Sequence, residues 1–153
     1  MTNNDCLRRI RYILDFNDSK MIAIFGLANV TTDRKEVSAW LKQDDDTDFE
    51  KCSDASFAAF LNGMIIALRG EKEGEPPRVE NKLNNNMVFM KLKIALSLKA
   101  DEILQILESA GQEISKHELS AFFRRPDHKH YRECKDQILR NFLNGLKINY
   151  RED

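Results

Sequence analysis

Apolar residues fall at intervals of three and four along most of the chain, and stretches of strict alternation are nearly absent. Leu7, Ile10 and Leu14 form one such stripe, Phe89, Leu92 and Leu96 a second, and Phe57, Phe60, Leu61, Ile65 and Leu68 a third. A period near 3.6 places each set on one face of a helix, so the pattern predicts helices and no sheet. Polar residues punctuate the stripes. Asn3 or Asn4, Ser19, Asp33 with Glu36, and Asp54 stand where helices are expected to start, because their side-chain oxygens accept from the free amides of a first turn. Asn85 or Asn86, Asp101, Ser115 with Glu118, and Asp136 repeat that series further on.

The two series are separated by one constant offset. Asn3 falls over Asn85, Leu14 over Leu96, Ile24 over Ile106, Cys52 over Cys134, and the string FLNG at 60–63 over the same string at 142–145, without a gap. A self-match in a single register is the mark of a duplicated unit. The predicted fold is therefore all-α: two tandem four-helix repeats, residues 1–70 and 84–153, in a pseudo-two-fold relation and packed as one compact unit. A charged linker, 71–83, joins them, and its Gly74, Pro76 and Pro77 cannot continue a helix.

FLNG is an odd string to keep inside a helix, since Gly costs about 1 kcal/mol there relative to Ala. An isolated helical Gly usually has a packing reason. Asn62, Gly63, Asn144 and Gly145 are accordingly expected to form repeat-packing positions, at a close helix crossing where the two halves meet. The alternative is that Asn62 and Asn144 line a polar site, because buried amides need partners.

Composition narrows the class. The chain has 42% hydrophobic and 32% charged residues with few Gly and Pro, which suits a helix-rich globular protein with a full core. Cys6, Cys52 and Cys134 are an odd set with no C-x-x-C spacing, and no secretory leader is evident, so reduced thiols and a cytoplasmic location are expected. Apolar runs such as 64–68 are far shorter than the roughly 20 residues of a membrane span, so no membrane partner is expected.

Several segments together resemble the bacterial YehS-like family, which carries a domain of unknown function twice per chain. They are the NND and NNN openings, FLNGMIIALRG closing the first half, KLKIALSLKADEILQIL opening the second, and RRPDHKHYREC before the last helix. The resemblance covers residues 3 to 150. It implies a duplicated domain and a bacterial origin, and it brings no catalytic residues with it.

Candidate chemistry centres on the second and third helices of each half. A helix, a short connection holding Gly111, and a capped helix of about three turns suit a helix-turn-helix-like unit, whose second helix can enter a major groove. Lys116, His117, Ser120 and Arg124 share one face of that helix, as do Arg34, Lys35, Ser38 and Lys42 in the first half. Arg125, Lys129 and Arg132 follow, with Tyr131 interleaved, a combination that suits phosphate or a single strand. Lys116, His117, Ser120, Arg124, Arg125, Lys129 and Arg132 are thus the candidate nucleic-acid-binding residues. The plainer alternative is a solvated amphipathic helix and loop, since the net charge of the whole chain is only −1.

That charge is unevenly divided. Residues 1–80 hold 11 basic and 15 acidic side chains, and residues 81–153 hold 13 and 10. Acidic KQDDDTDFEKC in the first half aligns with basic RRPDHKHYREC in the second, and opposed halves could also attract one another in a homo-oligomer. His128, His130 and Cys134 are zinc-ligand types, but H-x-H-x-x-x-C is no standard signature and lacks a fourth ligand, so no metal site and no cofactor are expected. Asp44–Asp48 lack the Gly and Glu of a calcium loop. Nothing pairs a nucleophile with a base, so a non-catalytic module is expected, with nucleic acid as the leading partner and a protein partner, in an interaction or scaffold role, as the alternative.

Overall fold

A computed structural model describes residues 1–71 and 78–151. Among these residues there are eight helices and no strand. They are α1 (Asn3–Leu14), α2 (Asp18–Leu27), α3 (Arg34–Leu41), α4 (Asp54–Arg69), α5 (Asn85–Ala95), α6 (Ala100–Ser109), α7 (Lys116–Phe122) and α8 (Asp136–Tyr150). The chain divides into two compact units, Met1–Leu83 and Asn84–Asp153. Gly74, Pro76 and Pro77 of the expected linker lie outside the described residues.

Several expected caps are displaced. Thr2, Asn17 and Ser53 cap α1, α2 and α4 in the first unit, one residue or more before the positions the pattern suggested. Asn84 caps α5, Lys99 precedes α6 and Lys135 precedes α8. Only Asp33 on α3 and Ser115 on α7 cap as expected. Asn3, Asn4, Asn85 and Asn86 therefore lie inside their helices, and their side chains reach other segments of the unit.

Each unit closes its helices on a small aromatic core, where a fully buried Leu, Ile or Phe contributes about 1.5–3 kcal/mol. In the first unit Phe25 of α2 lies 5.2 Å from Trp40 and 5.1 Å from Phe60, ring to ring. In the second, Phe89 of α5 lies 4.5 Å from Phe142, 5.0 Å from Phe123 and 6.2 Å from Phe122. Leu7 aligns with Phe89 and Phe25 with Leu107, and all four are fully buried. The large ring has moved from the second helix to the first while a leucine moved the other way, an exchange that conserves core volume and is tolerated for that reason.

The repeated glycines belong to this packing. A Cβ on Gly63 would sit 2.0 Å from the carbonyl oxygen of Ile24, and one on Gly145 would sit 2.1 Å from that of Ile106. The close crossings are thus α4 on α2 and α8 on α6, each within its own unit, which corrects the expected place at the meeting of the halves. Asn62 is buried beside its glycine, whereas Asn144 is half-exposed. Among the described residues no helix is long and apolar enough to cross a membrane.

Candidate nucleic-acid interface

The candidate residues lie on α7 and on the loop that follows it. α7 starts at a reciprocal cap: the Glu118 amide donates to Ser115 Oγ at 3.0 Å and the Ser115 amide donates to Glu118 Oε1 at 3.1 Å. The Ser115 amide also holds the Glu118 carboxyl below the usual carboxylate range. Leu119, 1% exposed, anchors the inner side, leaving Lys116, His117 and Ser120 exposed. The helix has only 7 residues, about two turns rather than three, and ends at Phe122. Arg124 therefore lies beyond the helix and does not share its face, a correction to the expected stripe. The α6–α7 connection runs over 110–115, longer than the roughly three to four residues of a DNA-binding helix-turn-helix.

The loop is held by a buried asparagine. Asn86, 6% exposed, donates to Phe122 O at 3.0 Å and Arg132 O at 2.7 Å, and accepts from the Cys134 amide at 2.9 Å. The Arg132 amide donates to Ala121 O at 3.1 Å. One side chain in α5 therefore ties both ends of the basic loop to the body of the unit. Asn85, beside it, donates to Cys134 O at 3.0 Å and Asp136 Oδ1 at 2.7 Å. The first unit repeats the device: Asn4 donates to Trp40 O at 2.9 Å and Glu50 O at 2.8 Å and accepts from the Cys52 amide at 3.0 Å.

The two loops share backbone turns as well. His128 N–H donates to Arg125 O at 2.9 Å and Tyr131 N–H to His128 O at 2.9 Å; Asp46 and Phe49 make the same bonds to Gln43 and Asp46 at 3.0 and 3.1 Å. What differs is charge. Residues 116–135 hold six Lys or Arg and three Asp or Glu, whereas residues 34–53 hold four and six. One scaffold thus presents opposite electrostatic faces in its two copies.

Within the second unit the fold brings the histidines together. All 3 histidines of the chain are here: the His117 and His130 rings lie 6.2 Å apart and the His128 and His130 rings 5.6 Å, which brings the loop against the exposed side of α7. Lys116 lies 3.5 Å from Asp101, and Arg125 lies 3.5 Å from Asp127, both exposed pairs. Arg124 and Lys129 make no ion pair among the described residues. The Ser120 hydroxyl donates to His117 O at 2.8 Å, so its proton is already used. Arg132 is exposed beside Glu118, and Tyr131 is half-buried like its counterpart Phe49.

His128 and His130, which share a zinc-ligand chemistry with Cys134, lie with His117 on the exposed side instead. Cys134 is 1% exposed, its amide is held by Asn86, and burial pushes its thiol up to about 12. Cys52 behaves alike, raised to about 12 by burial and by the Asp54 and Glu36 charges. Among the described residues no three His, Cys, Asp or Glu side chains come together to hold a metal ion. Asn86 is the positioning residue that the sequence pattern did not single out, because an asparagine at a helix start reads equally well as a cap.

A duplicated all-α unit whose two copies keep one hydrogen-bonded frame defines the class. A family model described as a protein of unknown function (DUF1456) matches residues 3–70 and again 85–152, and the chain belongs to that family. The chain is also 44% identical over 147 residues to the uncharacterized protein YehS of Escherichia coli strain K12, across 95% of this chain and 94% of that protein. No solved structure matches it.

Proposed function

We propose that the protein is a non-catalytic module that binds nucleic acid by phosphate contacts through α7 and the following loop of its second repeat. What supports this is that Lys116, His117, Arg125, Lys129 and Arg132 are exposed on α7 and its loop, that His130 of the loop lies against His117 of α7, and that Arg124 and Lys129 are uncompensated by carboxylates among the described residues. Phosphate oxygens are the acceptors such a patch suits, since guanidinium and ammonium groups only donate. The short α7 and long connection favour contact with the backbone of a strand over deep insertion of a recognition helix.

The test is fluorescence anisotropy of labelled single- and double-stranded DNA and RNA at about 50 and about 200 mM salt. Three or four phosphate contacts to a duplex would lower affinity roughly 40- to 150-fold over that range. Binding should also be lost in the Arg124→Ala, Arg125→Ala double variant. No binding at the lower salt would refute the proposal.

The opposed loops support a second reading, in which the acidic 44–50 segment of one copy meets the basic segment of another as a protein interface. Concentration-dependent self-association abolished by the same double variant, with no nucleic-acid binding, would favour it.

A further inference from the structure

His128 carries a donor that its structural role does not need. Its Nδ1 lies 3.0 Å from the His130 amide and accepts from it. A ring nitrogen that accepts holds no proton, so the proton of the neutral imidazole sits on Nε2. That Nε2 lies 3.5 Å from Nη1 of Arg124, a group with donors and no acceptor. The two are therefore neighbouring donors and cannot bond to one another; an acceptor shared between them satisfies both. Arg124 Nε is enclosed without a partner among the described residues, which leaves the Nη groups, Nη1 beside His128, as its donors for a ligand.

The first repeat shows what the turn itself requires. There Asp46 Oδ1 accepts from the Asp48 amide at 2.8 Å, the bond that His128 Nδ1 makes in the second repeat. A carboxylate closes the turn as well as an imidazole does. What the imidazole adds is an N–H beside a guanidinium; the carboxylate at the aligned position has only acceptors.

We infer that Arg124 and His128 form an oxyanion subsite, absent from the first repeat, that holds a single phosphate group. The phosphate is that of a bound nucleic-acid strand, and in this the inference rests on the function proposed above. Lys129, next in the loop, adds charge without a fixed donor geometry. Binding by this protein is then one-sided: the second repeat grips and the first, with Asp46 in place of the imidazole, does not.

The experiment records the His128 ring and Arg124 guanidinium signals by NMR while inorganic phosphate is added at constant ionic strength, and measures the affinity of a short labelled DNA strand in parallel. Two variants adopt the first repeat's residues, His128→Asp and Lys129→Thr, and with His neutral each lowers the charge by one. His128→Asp keeps the turn, as Asp46 does, and its helical circular dichroism should match the parent. Saturable phosphate shifts at Arg124 and His128, lost at Arg124 in His128→Asp and retained in Lys129→Thr, are expected. DNA affinity should fall about tenfold in His128→Asp, the size of one charge-assisted bond, and less in Lys129→Thr. Absence of saturable shifts in the parent, or equal losses in the two variants, overturns the subsite. Phosphate shifts without DNA binding would uphold the subsite and refute the nucleic-acid function, whereas DNA binding with equal losses would do the reverse.

Discussion

Replacing Asn86 with Leu tests the hydrogen-bonded frame at its most informative point. The substitution keeps the side chain's approximate size and removes two donated bonds, to Phe122 O and Arg132 O, and one accepted bond, from the Cys134 amide. The bonds to Phe122 and Cys134 are buried, and that to Arg132 is partly so. A buried backbone group stripped of its partner costs about 1–3 kcal/mol, so the unit should lose roughly 2–6 kcal/mol, with the Arg132 carbonyl adding least because water can reach it. That is a large share of the 5–15 kcal/mol typical of a whole domain, so local unfolding of the loop should precede global unfolding. Urea titration followed by circular dichroism gives the global figure, and amide exchange at Arg132 and Cys134 reports the loop. A loss below about 1 kcal/mol, with Cys134 still protected, would refute the argument that Asn86 holds the loop in place.

Other outcomes follow from the same geometry. Gly63→Ala and Gly145→Ala should destabilise by about 1–3 kcal/mol or more despite the better helix propensity of Ala, because the new methyl meets a carbonyl oxygen. Gly26→Ala in α2, with nothing within 4 Å of the added carbon, should instead stabilise by about 0.5–1 kcal/mol; denaturation midpoints read both signs. Asp54 is held below its usual range by the Asn3 side chain and the Leu83 amide, so its contribution is complete above its unfolded value and is lost as pH falls through its lower folded value. Asp54→Asn should therefore flatten the acid limb of the stability–pH curve and leave its alkaline limb alone. Cys52 and Cys134, buried and raised to about 12, should resist a thiol reagent at pH about 8 until urea is added.

Periodicity and the single offset were enough to read eight helices and their duplication, because burial of one helix face imposes spacing on the sequence itself. The exact helix starts were less legible. Asn4 and Asn86 look like caps because the residue that accepts from a first-turn amide is also the residue that can satisfy a distant loop. Choosing between those roles requires knowing that the chain returns from Trp40 to Glu50, or from Phe122 to Arg132, within reach of one amide. Gly63 announced a close approach but not its partner, since Ile24 O is a backbone atom and leaves no trace in residue type. At the candidate site the charge contrast between the two loops was plain in the letters. The pairing of Arg124 with His128 was not, because it depends on α7 ending at Phe122 and on a turn that brings a residue four positions on against the guanidinium.

In the function proposed above, one frame presents two different faces and only the second grips nucleic acid. The most direct measurement is a backbone NMR titration of the whole chain with a short DNA strand at low salt. Shifts confined to residues 116–132, with 34–50 unmoved, are the predicted result. Equal shifts at the aligned positions of both repeats, or shifts in neither, would contradict it.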